Sequence, residues 1–376
     1  MNAPIRKHAP NAAVRMTARA VLLSLLAGML LTPPVLSPAR ADKASGKLAK
    51  YRKPLDESID RALKYLAEQQ AKDGSFKSSM DRNTGISSLC VMAFLAKGYT
   101  PGTGPYGEII NKGIDFVLDS ADKRGMLVGK RKSHGPMYSH YISTLLLSEV
   151  SGMVDPSRQK RIDKTLPKAL KVILSAQSVK KSRSHEGGWR YQHTSRDSDI
   201  SCSGWALMAL RSARGNGASV PKQAIDKGIE YILKCRHKDG GFNYQPKRKQ
   251  PGLGRTGTAL LCLELTGRHG EKVPRQAGEW IRKHLPRKFL GESHFYYAMY
   301  YASQGMFQLG GEYWEDWAVR MYEMMLKYQE DRQGRKDYGS WSPGQGNEGK
   351  AGRCYATAMA VLAMSVSYRQ LPIYQR

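Results

Sequence analysis

A unit of two helical segments joined by a glycine-containing loop recurs along this chain at a spacing of about 50 residues. The fourth copy is the clearest: the amphipathic segment 224–235 precedes Asp239-Gly240-Gly241-Phe242, and the apolar segment 256–265 follows. The first copy, 59–95, has the same order. Six such copies account for nearly all of 55–370, so the fold must be built from stacked helical hairpins.

The two helices of each unit differ in how their apolar residues are distributed. In the first helix they follow one face, as Ile225, Ile229 and Ile232 do, which leaves the other face for water. In the second, as in 356–364, they lie nearly all round, which requires burial on most sides. An open array would need polar capping units at both ends, and none is obvious. The sequence therefore predicts an all-α fold, an (α/α)6 toroid of six helical hairpins over 55–376.

The amino terminus has the outline of a secretory signal peptide. Basic residues precede an apolar run, 20–31, that is short for a membrane span, and Ala39-Arg40-Ala41 offers small residues where a signal peptidase cleaves. We predict a signal peptide at 1–41, a linker at 42–54, and a protein exported to the periplasm or the extracellular space.

The chain is strongly basic, with a formal net charge of +28. The charge clusters at Lys130-Arg131-Lys132, Lys180-Lys181-Ser182-Arg183 and Lys247-Arg248-Lys249, each between apolar segments. These clusters are typical of solvated loops, and they also suit an anionic membrane surface or an acidic glycan as partner. Nucleic acid is not expected, because no nucleic-acid-binding module is recognisable.

The five cysteines are scattered singly, mostly in apolar helical segments, as expected of buried free thiols. No paired Cys motif or Cys/His cluster has the spacing of a zinc site. The sequence therefore predicts neither a metal nor a cofactor.

Two loops carry a family resemblance. Gln177 with Gly187-Gly188-Trp189, and Gln329 with Gly339-Ser340-Trp341, resemble the Gln-Trp repeats of squalene-hopene cyclases, with a longer interval between Gln and Gly. The stretches 294–311 and 355–374 resemble secreted bacterial prenyltransferase and squalene-oxidase repeat proteins. This resemblance implies the toroid of the terpenoid cyclase and protein prenyltransferase superfamily, although fold alone does not fix function.

Class II terpene cyclases protonate an alkene with the central acid of an Asp-x-Asp-Asp motif. By resemblance, Asp199 in Asp197-Ser198-Asp199-Ile200 matches the proton donor and Asp197 the first acid, which makes these two the candidate catalytic residues. Ile200 replaces the last acid of the motif, which argues against cyclase chemistry. Capping of the following helix by Asp199 is the alternative role.

Aromatic and basic residues at the ends of the inner helices define the candidate ligand pocket. Aromatic faces there would stabilise a carbocation or a quaternary ammonium group, and packing of the core would require them equally. The candidate ligand-binding residues are His140, Trp205, His294, Tyr297 and Arg353. They suit an apolar or isoprenoid ligand, transformed by a terpene-cyclase-like isomerase or lyase if the protein is an enzyme. A non-catalytic envelope scaffold and a carbohydrate-processing (α/α)6 enzyme are the alternatives.

Overall fold

The computed structural model describes residues 46–78, 80, 83–129, 135–292 and 294–374. The predicted signal peptide and the cluster at 130–132 lie outside these ranges. Within them, the secondary structure consists of helices and isolated β-bridges, so the all-α prediction is confirmed. No described helix combines the length and the apolar character that crossing a membrane requires.

Six amphipathic helices form the outer layer of the fold. They are α2 (Arg52–Glu68), α4 (Gly107–Asp119), α6 (Pro156–Ser178), α8 (Lys222–Lys234), α10 (Lys272–Lys283) and α12 (Gly311–Tyr328). A short helix, α1 (Gly46–Ala49), precedes them, so helical structure begins inside the stretch predicted to be linker.

Six other helices, which are more apolar than the outer ones, form the inner layer. They are α3 (Thr84–Lys97), α5 (Pro136–Val150), α7 (Ile200–Gly215), α9 (Leu253–Leu265), α11 (Phe295–Leu309) and α14 (Arg353–Met364), and a short helix, α13 (Gly346–Ala351), precedes α14. In α3 every residue from Thr84 to Ala96 is buried, which matches the apolar composition all round the helix.

The inner helices pack in sequence around a ring, and the ring closes because α14 packs against α3. Gln329 links the sixth hairpin to the first in the outer layer, at the seam where the ring closes. Its amide nitrogen donates to the carbonyl oxygens of Ser58 and Gly339, each at 2.8 Å. Gln177 makes the equivalent pair of bonds, to Gly187 and Ala224, between the third and fourth hairpins. The same linkage therefore joins the last hairpin to the first, as the predicted toroid requires.

Residues 365–374 pack against the carboxyl ends of inner helices. Val366, Leu371 and Ile373 are buried there, and the Ile373 amide donates to Glu149 Oε2 at 3.0 Å. The hydroxyl of Ser212 donates to the other oxygen of Glu149. Glu149 is 1 % exposed at the end of α5, and burial raises its pKa to about 7.

This raised pKa predicts that the fold loses stability as the pH rises. The pKa of Glu149 is higher in the folded than in the unfolded chain. Glu149 therefore contributes its full stabilisation below about pH 4.5, and this contribution is lost as the pH passes about 7. We expect the free energy of unfolding to fall by roughly 2 kcal/mol between about pH 5 and pH 8. Glu149→Gln can still accept the Ile373 amide at its oxygen while its NH2 group donates to the Ser212 hydroxyl oxygen, and it should flatten the profile in urea unfolding. An unchanged slope in this variant would exclude Glu149 as the cause.

Candidate functional site

The loops that enter the inner helices, and the first turns of those helices, bring half-buried tyrosines together at one end of the ring. The ring centroids of Tyr138 and Tyr191 lie 5.6 Å apart, and the hydroxyls of Tyr191 and Tyr244 are hydrogen-bonded to each other. The Tyr297 hydroxyl pairs with that of Thr258, and Ser201 lies beside the hydroxyls of both Tyr138 and Tyr297. We call Tyr138, Tyr191, Tyr244 and Tyr297, together with Arg190 and Arg255, the tyrosine cup.

Repetition of the loop explains two of these tyrosines. Gly188-Trp189-Arg190-Tyr191 and Gly241-Phe242-Asn243-Tyr244 are equivalent segments of the third and fourth hairpins. Trp189 and Phe242 are buried, and each donates its backbone N–H at 3.0 Å to a hydroxyl of the next inner helix. Because the buried aromatic fixes each loop, the tyrosine two positions later has an equivalent place in both hairpins, and the two tyrosine hydroxyls meet. Aligning the copies would have revealed this pair.

Arg190 holds the acidic residues of the Asp197-Ser198-Asp199-Ile200 segment. Its guanidinium is 2.8 Å from Asp199 Oδ2 and 3.1 Å from Asp197 Oδ2, and it lies 4.2 Å from the centre of the Tyr191 ring. It also donates to the Tyr244 hydroxyl at 2.7 Å. The cation is therefore satisfied by two carboxylates and two aromatic rings.

Asp199 is the N-cap of α7, as the alternative interpretation of its sequence position expects. The carboxylate is 0 % exposed, and Oδ1 accepts the Cys202 amide at 2.9 Å while Oδ2 faces Arg190. Burial raises the pKa of Asp199, and the Cys202 amide and Arg190 oppose that rise. Both oxygens are therefore engaged by groups of the fold. Asp197, with its side chain 44 % exposed, accepts from Arg190 and from Gln245.

A second buried carboxylate, Glu348, lies at the start of another inner helix. Its oxygens accept the backbone amides of Tyr296 at 3.2 Å and Tyr297 at 3.0 Å, so a residue of the sixth hairpin caps α11 of the fifth. The Tyr355 hydroxyl donates to it at 3.2 Å. Burial raises the pKa of Glu348, and these donors oppose that rise. Like Asp199, this carboxylate serves as a helix cap.

Arg255, on the first turn of α9, differs from Arg190 in its hydrogen-bond and ion-pair partners. Its guanidinium donates to the Gln250 carbonyl, and no carboxylate of the described ranges lies within ion-pair distance of it. Burial lowers the pKa of Arg255, and the nearby phenols of Tyr297 and Tyr244 oppose the fall. The cup therefore contains a half-buried cation that has no carboxylate counter-ion among the described residues.

Other predicted pocket residues lie apart from the cup or beneath it. His140 is 0 % exposed, accepts the Leu127 amide at Nδ1, and has Nε2 3.1 Å from the Ala169 carbonyl, contacts that favour a structural role. Burial lowers its pKa to about 4. Trp205 stacks on Tyr300, with ring centroids 5.5 Å apart, and fills the space below the cup.

The last two predicted pocket residues lie on the fifth and sixth hairpins. His294 is exposed at the N-cap of α11, with a left-handed φ of 56°. Arg353 pairs with Asp337 at 3.2 Å and donates to Ser340. Among the described residues, no group of His, Cys, Asp and Glu side chains is arranged to hold a metal ion.

The comparisons with known proteins agree with this architecture. The model of the prenyltransferase α/α toroid domain matches residues 107–288. No curated protein matches the sequence significantly.

Several solved structures share the fold. The type II terpene cyclase MstE from Scytonema is 14% identical, with 85% of this chain and 100% of that chain covered and a TM-score of 0.51. An α-amylase from Clostridium perfringens is 10% identical, with 83% and 97% covered and a TM-score of 0.55. A reducing end xylose-releasing exo-oligoxylanase is 11% identical, with 87% and 94% covered and a TM-score of 0.55. At these identities the likeness shows the fold alone. The domain match over 107–288 and the ring of six hairpins together show that the chain has the α/α toroid fold, which the type II terpene cyclase also has.

Proposed function

We propose that the protein binds an isoprenoid-like ligand, with an apolar body and an anionic end, in the tyrosine cup. The observation that carries this proposal is the pairing of half-buried aromatic rings with Arg255, a cation that the described fold leaves without a carboxylate. The aromatic rings would contact the apolar body, and a partly desolvated guanidinium favours a phosphate or carboxylate.

The same geometry argues for binding without acid catalysis. A class II cyclase requires a carboxylic acid free to give up its proton, and a glycosidase requires two carboxyl groups beside the scissile bond. Asp199 is occupied by Arg190 and the Cys202 amide, and Glu348 by two backbone amides and a phenol. The carboxylates buried in this part of the ring therefore stabilise helix ends instead of facing a substrate.

A titration with defined ligands tests the proposal. Geranylgeranyl phosphate and geranylgeraniol would be added to the protein and binding followed by Trp fluorescence and calorimetry. We expect the phosphate to bind, and Arg255→Gln to weaken it about tenfold, the loss of one charge-assisted contact worth roughly 1.4 kcal/mol.

Arg211→Gln is the matched control, because Arg211 also donates to a backbone carbonyl, that of Leu265, but at the opposite end of the ring. Equal binding by the wild type and Arg255→Gln would refute the role of Arg255. Binding of an acidic oligosaccharide in place of both prenyl compounds would favour the carbohydrate alternative.

A non-catalytic scaffold is the second candidate, and one observation favours it. Trp205 on α7 stacks on Tyr300 and meets Tyr301 edge-on, so side chains of non-adjacent inner helices pack across the ring beneath the cup. A ring filled in this way can act through its surface alone. Native mass spectrometry separates the two, since a scaffold would be recovered free of lipid while the binding proposal expects a bound prenyl compound.

We also propose that the protein acts outside the cytoplasm, which is supported by the basic, apolar and small-residue order of 1–41. N-terminal sequencing of the protein recovered from the producing cell should find Asp42 as the first residue. An intact amino terminus would contradict export by this route.

A further inference from the structure

The connectivity of the ring sorts its loops into two ends. The described residues that leave an outer helix and enter the inner helix of the same hairpin lie at the end that carries the tyrosine cup; they are 69–78, 80, 83, 120–129, 135, 179–199, 235–252, 284–292, 294 and 329–352. We call this the hairpin end. The segments that return to the next outer helix, such as 98–106 and 216–221, lie at the opposite end with the C-terminal segment 365–374.

Exposed positive charge is concentrated at the hairpin end. Each of the six hairpins contributes exposed basic residues to it: Lys72 and Lys77; Lys123 and Arg124; Lys180, Arg183 and Arg196; Arg236, Lys238, Lys247, Arg248 and Lys249; Arg287 and Lys288; Arg332, Arg335, Lys336 and Lys350. The opposite end is nearly balanced. In its described loops Arg268 and Arg369 accompany Asp155 and Glu271.

Several acidic residues of the hairpin end are used within their own loops. Asp73 accepts the amide and hydroxyl of Ser75, Asp122 accepts the amides of Arg124 and Met126, and Asp239 accepts the amide of Gly241. These carboxylates fold the loop turns and lie close to the backbone. The longer Lys and Arg side chains extend beyond them, so the outermost charge at this end is positive.

Two of the three large apolar side chains that are exposed among the described residues lie at the same end, and the third, Met153, is 37% exposed at the opposite end. Met80, 45% exposed, lies in the first hairpin loop, and Tyr328, 43% exposed, lies at the last residue of α12 beside Phe289. Basic residues mixed with a few exposed apolar ones are typical of proteins that rest on lipid headgroups. A linear acidic polymer would instead suit a single basic stripe or groove. Here the exposed basic residues come from all six hairpins and surround the rim of the hairpin end.

We propose that the hairpin end docks on an anionic lipid bilayer, so that the mouth of the tyrosine cup faces the membrane surface. Each basic side chain near such a surface adds to the attraction, which salt screens because the charges are exposed. This docking does not depend on ligand binding in the cup. The partner would be the negatively charged headgroup layer as a whole.

Vesicle flotation tests the docking. The protein as recovered from the cell would be mixed with phosphatidylcholine vesicles, with or without about a third phosphatidylglycerol, at about 0.05 M and 0.5 M salt. We expect binding to the anionic vesicles at low salt only. A variant with K247Q, R248Q and K249Q should bind at least tenfold more weakly, since three exposed charges of the rim are lost.

The matched control removes three exposed charges from an outer helix, through K160Q, K164Q and K171Q on α6. It should keep its binding within about twofold, and circular dichroism would show that both variants are folded. An equal loss in the two variants would show that only net charge matters and would overturn the proposal. Binding to polygalacturonate without binding to vesicles would overturn it in favour of an acidic glycan. Either result leaves the titration of the cup unaffected.

Discussion

Replacing Gly339 with alanine is expected to lower the free energy of unfolding by about 3–4 kcal/mol, because this residue closes the ring. Its φ is +85°, a left-handed conformation that costs other residues about 1–2 kcal/mol. A Cβ built there would lie 2.4 Å from the carbonyl oxygen of Arg61, in the middle of α2, so the sixth hairpin could no longer sit on the first. Urea unfolding measures the loss.

Gly152→Ala is the control that isolates this contact. Gly152 has the same φ of +85°, but a Cβ built there meets nothing within 4 Å. Its substitution should therefore lower the free energy of unfolding only by the cost of the left-handed conformation, about 1–2 kcal/mol. Similar losses in the two variants would mean that contact between the sixth and first hairpins contributes little to stability.

Asp199→Ala should destabilise the fold by about 2–4 kcal/mol, through loss of a helix cap and of one carboxylate partner of Arg190. The substitution takes away the cap of α7 and leaves Arg190 with Asp197 as its remaining carboxylate. Asp199→Asn can still accept the Cys202 amide, because Asn is also a good N-cap, so we expect it to lose about half as much.

The two variants distinguish a structural from a purely chemical role for Asp199. Thermal and urea unfolding should rank them as wild type, then Asn, then Ala. A residue kept only for proton donation would leave both variants as stable as the wild type. That result would undermine the argument that Asp199 is engaged by the fold.

The sequence predicted what depends on local pattern. The distribution of apolar residues in segments such as 224–235 and 256–265 is a property of each helix, and it indicated both layers. Asp199 as an N-cap is likewise a local feature, set by its position before α7. The closed ring followed from repetition, since six similar hairpins bury their inner helices only against one another.

Contacts between distant parts of the chain could not be predicted. Glu348 caps a helix that begins about 50 residues before it, and Glu149 accepts an amide from Ile373 near the other end of the chain. Neither contact leaves a pattern in its own neighbourhood, because closure of the ring brings the partners together. The engagement of Arg190 by Asp199 and of His140 by Leu127 also emerges only when the loops are folded.

Closure of the ring is the claim on which the cup, the hairpin end and the stability predictions all depend. Zero-length carbodiimide cross-linking tests it directly, because Lys47 of α1 and Glu315 of α12 approach to 3.8 Å across the seam. In dilute protein we expect a cross-linked peptide pair joining Lys47 to Glu315, together with the internal control Lys222 to Asp226, 2.7 Å apart within α8. Formation of the control link without the Lys47–Glu315 link would contradict a closed ring.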